Sequence, residues 1–412
     1  MVQYESFVLD NGLRVVVSED PTTPMAAVNL IYDVGSRDED PERTGFAHLF
    51  EHLMFGGSKN ISSYDEHVQK VGGENNAFTS PDLTNFYVYL PAMNIETAFW
   101  LESDRMAALN LDSQVLEVQR KVVVEEFKQR YLNQPYGDVW AELRKMCYTT
   151  HPYRWPTIGK DISHIEEATM ADVEAFYHKF YVPNNAVLSV VGNVTVEQVR
   201  ELAEKWFGDI PAGEPCVRNL PAEPEQTEAK SVTKKADVPF DAIFKAYHMP
   251  GKASERFVTI DLLGDILGQG KSSRLHERLV KELGIFNDIG AFVTGSFDPG
   301  LFVVSGKLKK GQDIKKAEEE ILKVLEEIRN EAPPQEELQK VKNQAEASLV
   351  FSEMETMSVA MFLGYATLMG DTDLINREPE LIRAVTPEGV RSTAEWLLAP
   401  ERCSTMYYLS EK

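Results

Sequence analysis

The hydrophobic and polar positions of this chain alternate between the spacing of strands and the spacing of helices. Residues 7–17 contain two short apolar runs around the turn sequence Asp10-Asn11-Gly12, and this pattern predicts a β-hairpin. The same reasoning predicts further strands at 26–34, 84–90 and 186–191, and helices at 64–71, 95–109, 114–131 and from Asp172 to a turn at 182–185.

A compositional break divides the chain near its middle. Residues 211–231 are rich in Pro, Glu and Ala and contain few apolar residues, which is typical of a linker. With 412 residues, the chain also exceeds the usual size of a single hydrophobic core. We therefore predict an N-terminal domain at 1–215 and a C-terminal domain at 232–412.

The chain after this linker repeats features of the chain before it. Residues 167–173, which precede a proline and a strand, match 384–390 at an offset of 217, and residues 24–32 match 239–247 at an offset of 215. Any two segments of mixed structure resemble each other loosely. Two landmarks at nearly the same offset, bracketing most of both halves, favour an internal duplication.

One short stretch concentrates the chemistry of the N-terminal half. His48-Leu49-Phe50-Glu51-His52 lies in an apolar, helix-like run that ends at Gly56-Gly57. On a helix, His48, Glu51 and His52 fall within one narrow wedge, so both imidazoles can bind one metal ion and the carboxylate lies beside it. An H-x-x-E-H sequence also arises by chance, but three clustered polar groups are costly in an apolar helix unless they have partners. We therefore predict a zinc site.

Two histidines alone would leave zinc under-coordinated, so a third protein ligand must come from another part of the chain. The predicted helix at 114–131 contains three candidates, Glu117, Glu125 and Glu126. Each of them is equally compatible with a solvated helix surface. Residue chemistry alone leaves the choice open.

The charge and composition narrow the classes of partner. The net charge of -23 would repel phosphate backbones and anionic lipid, which argues against nucleic acid and membrane surfaces as partners. The N-terminus lacks the basic and apolar regions of a signal peptide, and no segment has 18 uninterrupted apolar residues. Three scattered cysteines, Cys147, Cys216 and Cys403, suit a reducing compartment. We expect a cytoplasmic protein.

Three sequence motifs together resemble the pitrilysin-like M16 metallopeptidases, the inverzincins, and especially the short members related to the mitochondrial processing peptidase. The motifs are H-L-F-E-H (48–52), E-N-N-A-F-T-S-P-D-L-T-N-F (74–86) and R-K-V-V-V-E-E-F (120–127). The resemblance implies an α+β fold of two similar domains, each a mainly antiparallel sheet packed against helices. It also implies that Glu126 is the third zinc ligand. The family commonly has a supporting glutamate seven residues earlier, where this chain has Gln119. Because an amide can still hydrogen-bond, we expect Gln119 to tune the metal site rather than abolish it.

The function that this resemblance implies is that of a zinc-dependent endopeptidase. Zinc, one ion per chain, would be held by His48, His52 and Glu126, and Glu51 would act as the general base. The peptide substrate would add as a strand to a sheet edge formed by Asn76, Ala77, Phe78 and Thr79, although these residues are equally compatible with an ordinary turn and strand. The alternative is a non-catalytic M16-like structural or binding subunit, but such members usually lose part of the motif that is intact here.

The C-terminal half lacks the corresponding motif. The counterpart of 48–52 in the repeat is 263–267, Leu-Gly-Asp-Ile-Leu, which has no metal ligands comparable to the two histidines. Residues 268–272 resemble the end of a phosphate-binding loop, but the required earlier glycine is Asp265 and the preceding run is helix-like. We therefore exclude nucleotide binding.

The C-terminal half also lacks a second feature that the resemblance implies. Active members of the family usually carry an arginine and a tyrosine seven residues apart, which help to hold the tetrahedral intermediate. The corresponding stretch here contains Arg274 and Arg278, but no tyrosine occurs between Tyr247 and Tyr365. We therefore predict a dimer in which a second M16-like subunit supplies the pair. The alternative is a homodimer that uses Arg274 or Arg278 alone.

Overall fold

The computed structural model describes residues 1–411 and contains eleven strands and fourteen α-helices in that range. The strands are β1 Glu5–Val8, β2 Arg14–Glu19, β3 Met25–Tyr32, β4 Glu74–Thr79, β5 Thr84–Pro91, β6 Ala186–Gly192, β7 Lys230–Ala236, β8 Ala242–Met249, β9 Phe286–Val293, β10 Gly300–Leu308 and β11 Cys403–Ser410.

The helices lie between groups of these strands along the chain. They are α1 Phe46–Leu53, α2 Tyr64–Lys70, α3 Ile95–Ala108, α4 Ser113–Phe127, α5 Val139–Cys147, α6 Ser163–Glu166, α7 Met170–Phe180, α8 Val196–Phe207, α9 Phe257–Gly268, α10 Ile314–Asn330, α11 Gln335–Glu353, α12 Thr356–Leu368, α13 Leu374–Ala384 and α14 Pro387–Leu397. Two π-helical turns follow at Lys128–Leu132 and His276–Glu282. Within residues 1–411, no helix is long and apolar enough to cross a membrane.

The strands form two sheets with the same plan. The first has the order β1-β2-β6-β3-β5-β4, and the second has the order β7-β11-β8-β10-β9. In each sheet one neighbouring pair is parallel, β2 with β6 and β7 with β11, and the other pairs are antiparallel. Apart from β1, every strand of the first sheet has a counterpart in the second. The predicted α+β fold with two similar domains is confirmed.

The two compact units of the structure are not continuous in sequence. One unit contains 1–132, 155–221 and 350–377, and the other contains 133–154, 222–349 and 378–412. The units therefore exchange two segments, which carry α5 and α12. These helices begin 217 residues apart, at Val139 and Thr356, the offset of the repeat. The predicted division into 1–215 and 232–412 differs from the structure by these exchanges.

The sheets explain why each unit takes up a helix from the other half of the chain. Strands of the first sheet are buried on both faces: Val15 and Val17 lie in the core formed with α1 and α3, whereas Val16 lies in a second cluster under α12. In the second sheet, α5 covers the second face in the same way. An apolar sheet face needs such a cover, because leaving it in water costs about 25 cal/mol per Å² of apolar surface.

The predicted linker is anchored at two points. The Arg218 guanidinium donates to Asp33 Oδ2 at 2.6 Å and to Asp38 Oδ1 at 2.5 Å, which fastens the chain to the first unit. Glu223 accepts from the backbone N–H groups of Thr149 and Thr150 at 2.8 and 2.9 Å, which fastens it to the second unit. The segment therefore has defined contacts, although no helix or strand forms between α8 and β7.

Candidate metal centre

The helix that carries the histidine motif begins in a tightly constrained turn. Gly45 precedes α1 with a φ of +93°, and a Cβ there would lie 2.6 Å from the carbonyl oxygen of Ile158, so glycine is required. The buried carboxyl group of Glu39 accepts from the backbone N–H groups of Gly45 and Ala47, both at 2.9 Å. It thereby satisfies two N–H groups that a helix leaves without intrahelical partners at its start.

Aromatic packing fixes the rotation of α1 about its axis. Phe50 is fully buried and stacks on Phe176 and Tyr181, with ring centroids 5.2 and 5.1 Å apart. The helix ends at Leu53, before the predicted stop at Gly56-Gly57, because Phe55 and Gly56 donate to carbonyls only three residues earlier. With the apolar side of α1 held in the core, His48 and His52 project together from its other side.

Glu126 on α4 meets both histidines. Its Oε2 lies 3.7 Å from His48 Nε2 and 3.2 Å from His52 Nε2. Ligands 2.0–2.1 Å from a tetrahedral zinc ion are separated by about 3.3 Å, and both measured distances are within about 0.4 Å of that spacing. In the part of the chain that the structure describes, no other group of three His, Cys, Asp or Glu residues is gathered so closely. The donor set therefore fits zinc.

The two other glutamates of α4 point elsewhere. Glu125 is exposed and pairs with Lys128 at 2.6 Å, and Glu117 pairs with Arg120 and Lys121 at 3.0 and 3.1 Å. The helix places Glu126 toward α1, which packs against α4. Of the three glutamates that residue chemistry left open, Glu126 is the one that lies beside the two histidines, and it is also the one that the resemblance implies.

The environment keeps His48 and Glu126 in the forms that bind a cation. Burial, together with the neighbouring His52, lowers the pKa of His48 to about 4, so the imidazole of His48 is neutral near pH 7. A hydrogen bond from His52 lowers the pKa of Glu126, which keeps its carboxylate ionised. In addition, His48 Nδ1 is buried and finds no hydrogen-bond partner among residues 1–411.

Glu51 lies on the same helix but outside the group of three. Its carboxylate is half-buried, and the Thr79 hydroxyl donates to its Oε2 at 2.6 Å. Burial raises the pKa of Glu51, and the hydrogen bond from Thr79 opposes that rise. A carboxylate with a raised pKa beside a metal site suits a group that accepts and returns a proton.

The residues predicted to receive substrate, Asn76 to Thr79, lie in an edge strand. Among residues 1–411, β4 pairs only with β5, and its side chains alternate between exposed and half-buried. Phe78 is 42% exposed, whereas Thr79 turns toward Glu51. The backbone of β4 therefore has a free edge beside the candidate metal centre.

One contact of the site was not foreseen from the sequence. Arg130 Nη1 lies 3.1 Å from Glu126 Oε1, the oxygen that does not face the histidines. Gln119, predicted to support the site, is half-buried and lies on α4 seven residues before Glu126. The i, i+4 spacing of Glu126 and Arg130 was the available signal, because such pairs meet on a helix surface.

The arginines considered for the second half of the site are already paired. Arg274 forms a bidentate ion pair with Glu337, with Nε–Oε1 at 3.0 Å and Nη2–Oε2 at 2.6 Å, and Arg278 Nη1 lies 2.9 Å from Glu327 Oε1. The helix at the position of α1 in the second unit is α9, which contains residues 263–267 and immediately precedes the rejected phosphate-loop sequence.

Two family models match the chain in adjacent regions. "Insulinase (Peptidase family M16)" matches residues 14–158, and "Peptidase M16 inactive domain" matches residues 167–345. The histidine motif and Glu126 both lie inside the first match. The word "inactive" therefore applies to a region that does not contain the candidate metal centre.

Named relatives and solved structures extend over most of the chain. The zinc protease PqqE of Helicobacter pylori is 31% identical over 362 residues, which cover 86% of this chain and 81% of the relative. The uncharacterized zinc protease YmxG of Bacillus subtilis is 26% identical over 96% of both chains. A crystal structure of a Helicobacter pylori protease superposes with a TM-score of 0.95 at 27% identity, covering 99% of this chain and 100% of that one. A peptidase M16 inactive domain from Pseudomonas fluorescens has the same fold, with a TM-score of 0.91 at 18% identity over 100% of this chain and 99% of that one.

Proposed function

Because this chain belongs to the M16 peptidase family, we propose that it is a zinc-dependent endopeptidase acting on peptides or unfolded polypeptide segments. The observation that supports this most directly is that His48, His52 and Glu126 lie close together. Glu51 lies between the two histidines on α1. A purely structural subunit would have no need to keep two imidazoles and a carboxylate within contact distance in a half-buried site.

The roles of the residues follow from their chemistry. His48, His52 and Glu126 would hold one zinc ion, which when bound supplies the Lewis acidity that polarises a carbonyl and acidifies a water. Glu51 would accept a proton from the attacking water and pass it to the leaving amine. Arg130 would hold the second carboxylate oxygen of Glu126, so that the first oxygen stays directed at the histidines.

The substrate would bind along β4. An extended peptide that pairs with the free edge of this strand gains main-chain hydrogen bonds, which give affinity with little dependence on sequence. Asn76, Ala77, Phe78 and Thr79 form the part of that edge that leads to Glu51. This arrangement suits unfolded segments, because a folded protein has few strands available for pairing.

The proposal is tested by the variant Glu51→Gln. The amide cannot accept the proton, but the three ligands are untouched, so the variant should retain zinc and lose kcat by several orders of magnitude. Metal analysis and a peptide-library assay measure the two effects on the same preparation. The matched control is Glu117→Gln, which makes the same change on an exposed helix surface and should leave both unchanged.

Two outcomes would contradict the proposal. Retention of more than about a tenth of the wild-type kcat would exclude Glu51 as the base. A wild-type protein that binds no zinc would favour the alternative, a non-catalytic M16-like subunit. About one zinc ion per chain is the result expected for the peptidase.

We also propose that the active form is a dimer. Arg274 and Arg278 are engaged with glutamates, and the tyrosine of the family pair is absent from the sequence between Tyr247 and Tyr365, which supports a second M16-like subunit as the source of the pair. The purified chain should then bind zinc but cleave peptides poorly until that subunit is added. Efficient turnover by the chain alone, without a co-purifying partner, would exclude a second subunit and favour the homodimer.

The cytoplasmic location also stays a prediction.

A further inference from the structure

We propose that Thr79 is a positioning residue for the general base, and that it links the substrate-binding strand to Glu51. This inference rests on the proposed function, since it assigns a role within the same site. The Thr79 hydroxyl donates to Glu51 Oε2 at 2.6 Å, a short distance typical of a hydrogen bond to an ionised carboxylate. Thr79 is also the last residue of β4, the edge strand along which substrate would pair.

The strand end that carries Thr79 is held firmly. Thr79 pairs in register with the fully buried Thr84 of β5, and the Thr84 hydroxyl donates to the carbonyl of Val34 at 2.9 Å. The connection between the two strands is closed by the Ser80 N–H, which donates to the Leu83 carbonyl at 2.9 Å. The backbone at Thr79 is therefore fixed on both sides of the strand end.

A second element clamps the same connection. The N–H of Arg37 donates to the carbonyl of Pro81 at 2.9 Å, and the Arg37 guanidinium forms a buried ion pair with Asp82 at 3.1 Å. Gly35 approaches so closely that a Cβ there would lie 2.4 Å from the Pro81 carbonyl. Because this clamp leaves the Thr79 hydroxyl little freedom, the hydroxyl can impose an orientation on the longer, more flexible side chain of Glu51.

The backbone of β4 and the side chain of Thr79 would therefore have different roles in the reaction. The backbone of β4 would pair with the peptide, while the side chain at its end holds the carboxylate that takes the proton. A base held in one orientation loses no rotamer freedom when the reaction begins, which is the basis of preorganised catalysis. Removal of the hydroxyl should therefore affect kcat and leave KM nearly unchanged, because the backbone pairing is intact.

Two variants of Thr79 separate this role from simple packing. Thr79→Val keeps the shape of the side chain and removes the hydroxyl, whereas Thr79→Ser keeps the hydroxyl and removes the methyl group. Loss of a hydrogen bond to a charged group should lower the kcat of Thr79→Val about 10- to 100-fold with zinc content and KM maintained. Thr79→Ser should stay within about threefold of wild type. If Thr79 served packing alone, the order of the two variants would be reversed.

A crystallographic measurement gives a readout that does not depend on turnover. In crystals of Thr79→Ser, the Glu51 carboxylate should keep its wild-type orientation, and in crystals of Thr79→Val it should adopt another rotamer or several. An unchanged Glu51 rotamer in Thr79→Val, or an unchanged kcat, would overturn the inference. A wild type that stays inactive even after a second M16-like subunit is added, with Glu51 reoriented only in Thr79→Val, would contradict the proposed function and leave the positioning role of Thr79 standing.

Discussion

Replacement of Glu126 by glutamine, compared with the same replacement at Glu125, tests the metal centre most sharply. The two residues are neighbours on α4, and either change raises the net charge from -23 by one unit, so a general electrostatic effect cancels in the comparison. Only Glu126 faces His48 and His52, at 3.7 and 3.2 Å, whereas Glu125 is 61% exposed and pairs with Lys128.

The expected loss of zinc affinity in each variant follows from what the replaced side chain contacts. Glu126 is the only anionic donor of the group of three, and its side chain is 17% exposed, so little water is available to replace it. Loss of a supporting contact around a metal ligand typically costs 10- to 100-fold in metal affinity, and loss of the ligand itself should cost more. We expect Glu126→Gln to weaken zinc binding by about 10³-fold, or ~4 kcal/mol. Glu125→Gln should change the affinity less than about threefold.

Competition between the protein and a fluorescent zinc chelator measures the affinity of both variants under identical conditions. Circular dichroism serves as the control that both proteins remain folded. The reverse order of the two variants would move the ligand to Glu125, and equal losses would mean that neither side chain binds the metal directly. Either result would refute the assignment of Glu126 from its position beside the histidines.

Two further predictions concern the helix that carries the histidines. Phe50→Ala should lower the free energy of unfolding by about 3–5 kcal/mol, because it removes a fully buried ring that stacks on Phe176 and Tyr181. Denaturant titration measures this free energy. A loss below about 1 kcal/mol would contradict the prediction. Burial raises the pKa of Glu39 from the usual 4.5 to about 8. Between these pH values the folded protein keeps a proton on Glu39 that the unfolded chain releases. The contribution of Glu39 to stability therefore falls as the pH rises. The stability of Glu39→Gln relative to wild type should therefore increase from pH 5 to pH 8 in thermal melts, and a constant or decreasing difference would show that Glu39 does not titrate in this way.

The elements of the fold and the grouping of the histidine motif were predictable because they depend on local spacing. His48, Glu51 and His52 share one helix face at any position in any fold, since helix geometry sets the angle between residues three and four apart. The duplication was also readable, and α7 and α14 begin 217 residues apart, at Met170 and Pro387, as the repeat predicts. The sequence alone therefore determined the two-domain α+β plan and two of the three candidate ligands.

The contacts between residues far apart in the sequence could be identified only from the tertiary structure. Bare residue chemistry could not choose among Glu117, Glu125 and Glu126, because the choice depends on how α4 rotates against α1. The exchange of α5 and α12 between the units was not predicted. The sequence of a helix that covers an apolar sheet does not indicate which of the two sheets it packs against. The bond from Thr79 to Glu51 joins residues 28 apart through the end of a strand. Each of these contacts is decided by the packing of whole elements, which is a sum over many residues and leaves no short pattern in the sequence.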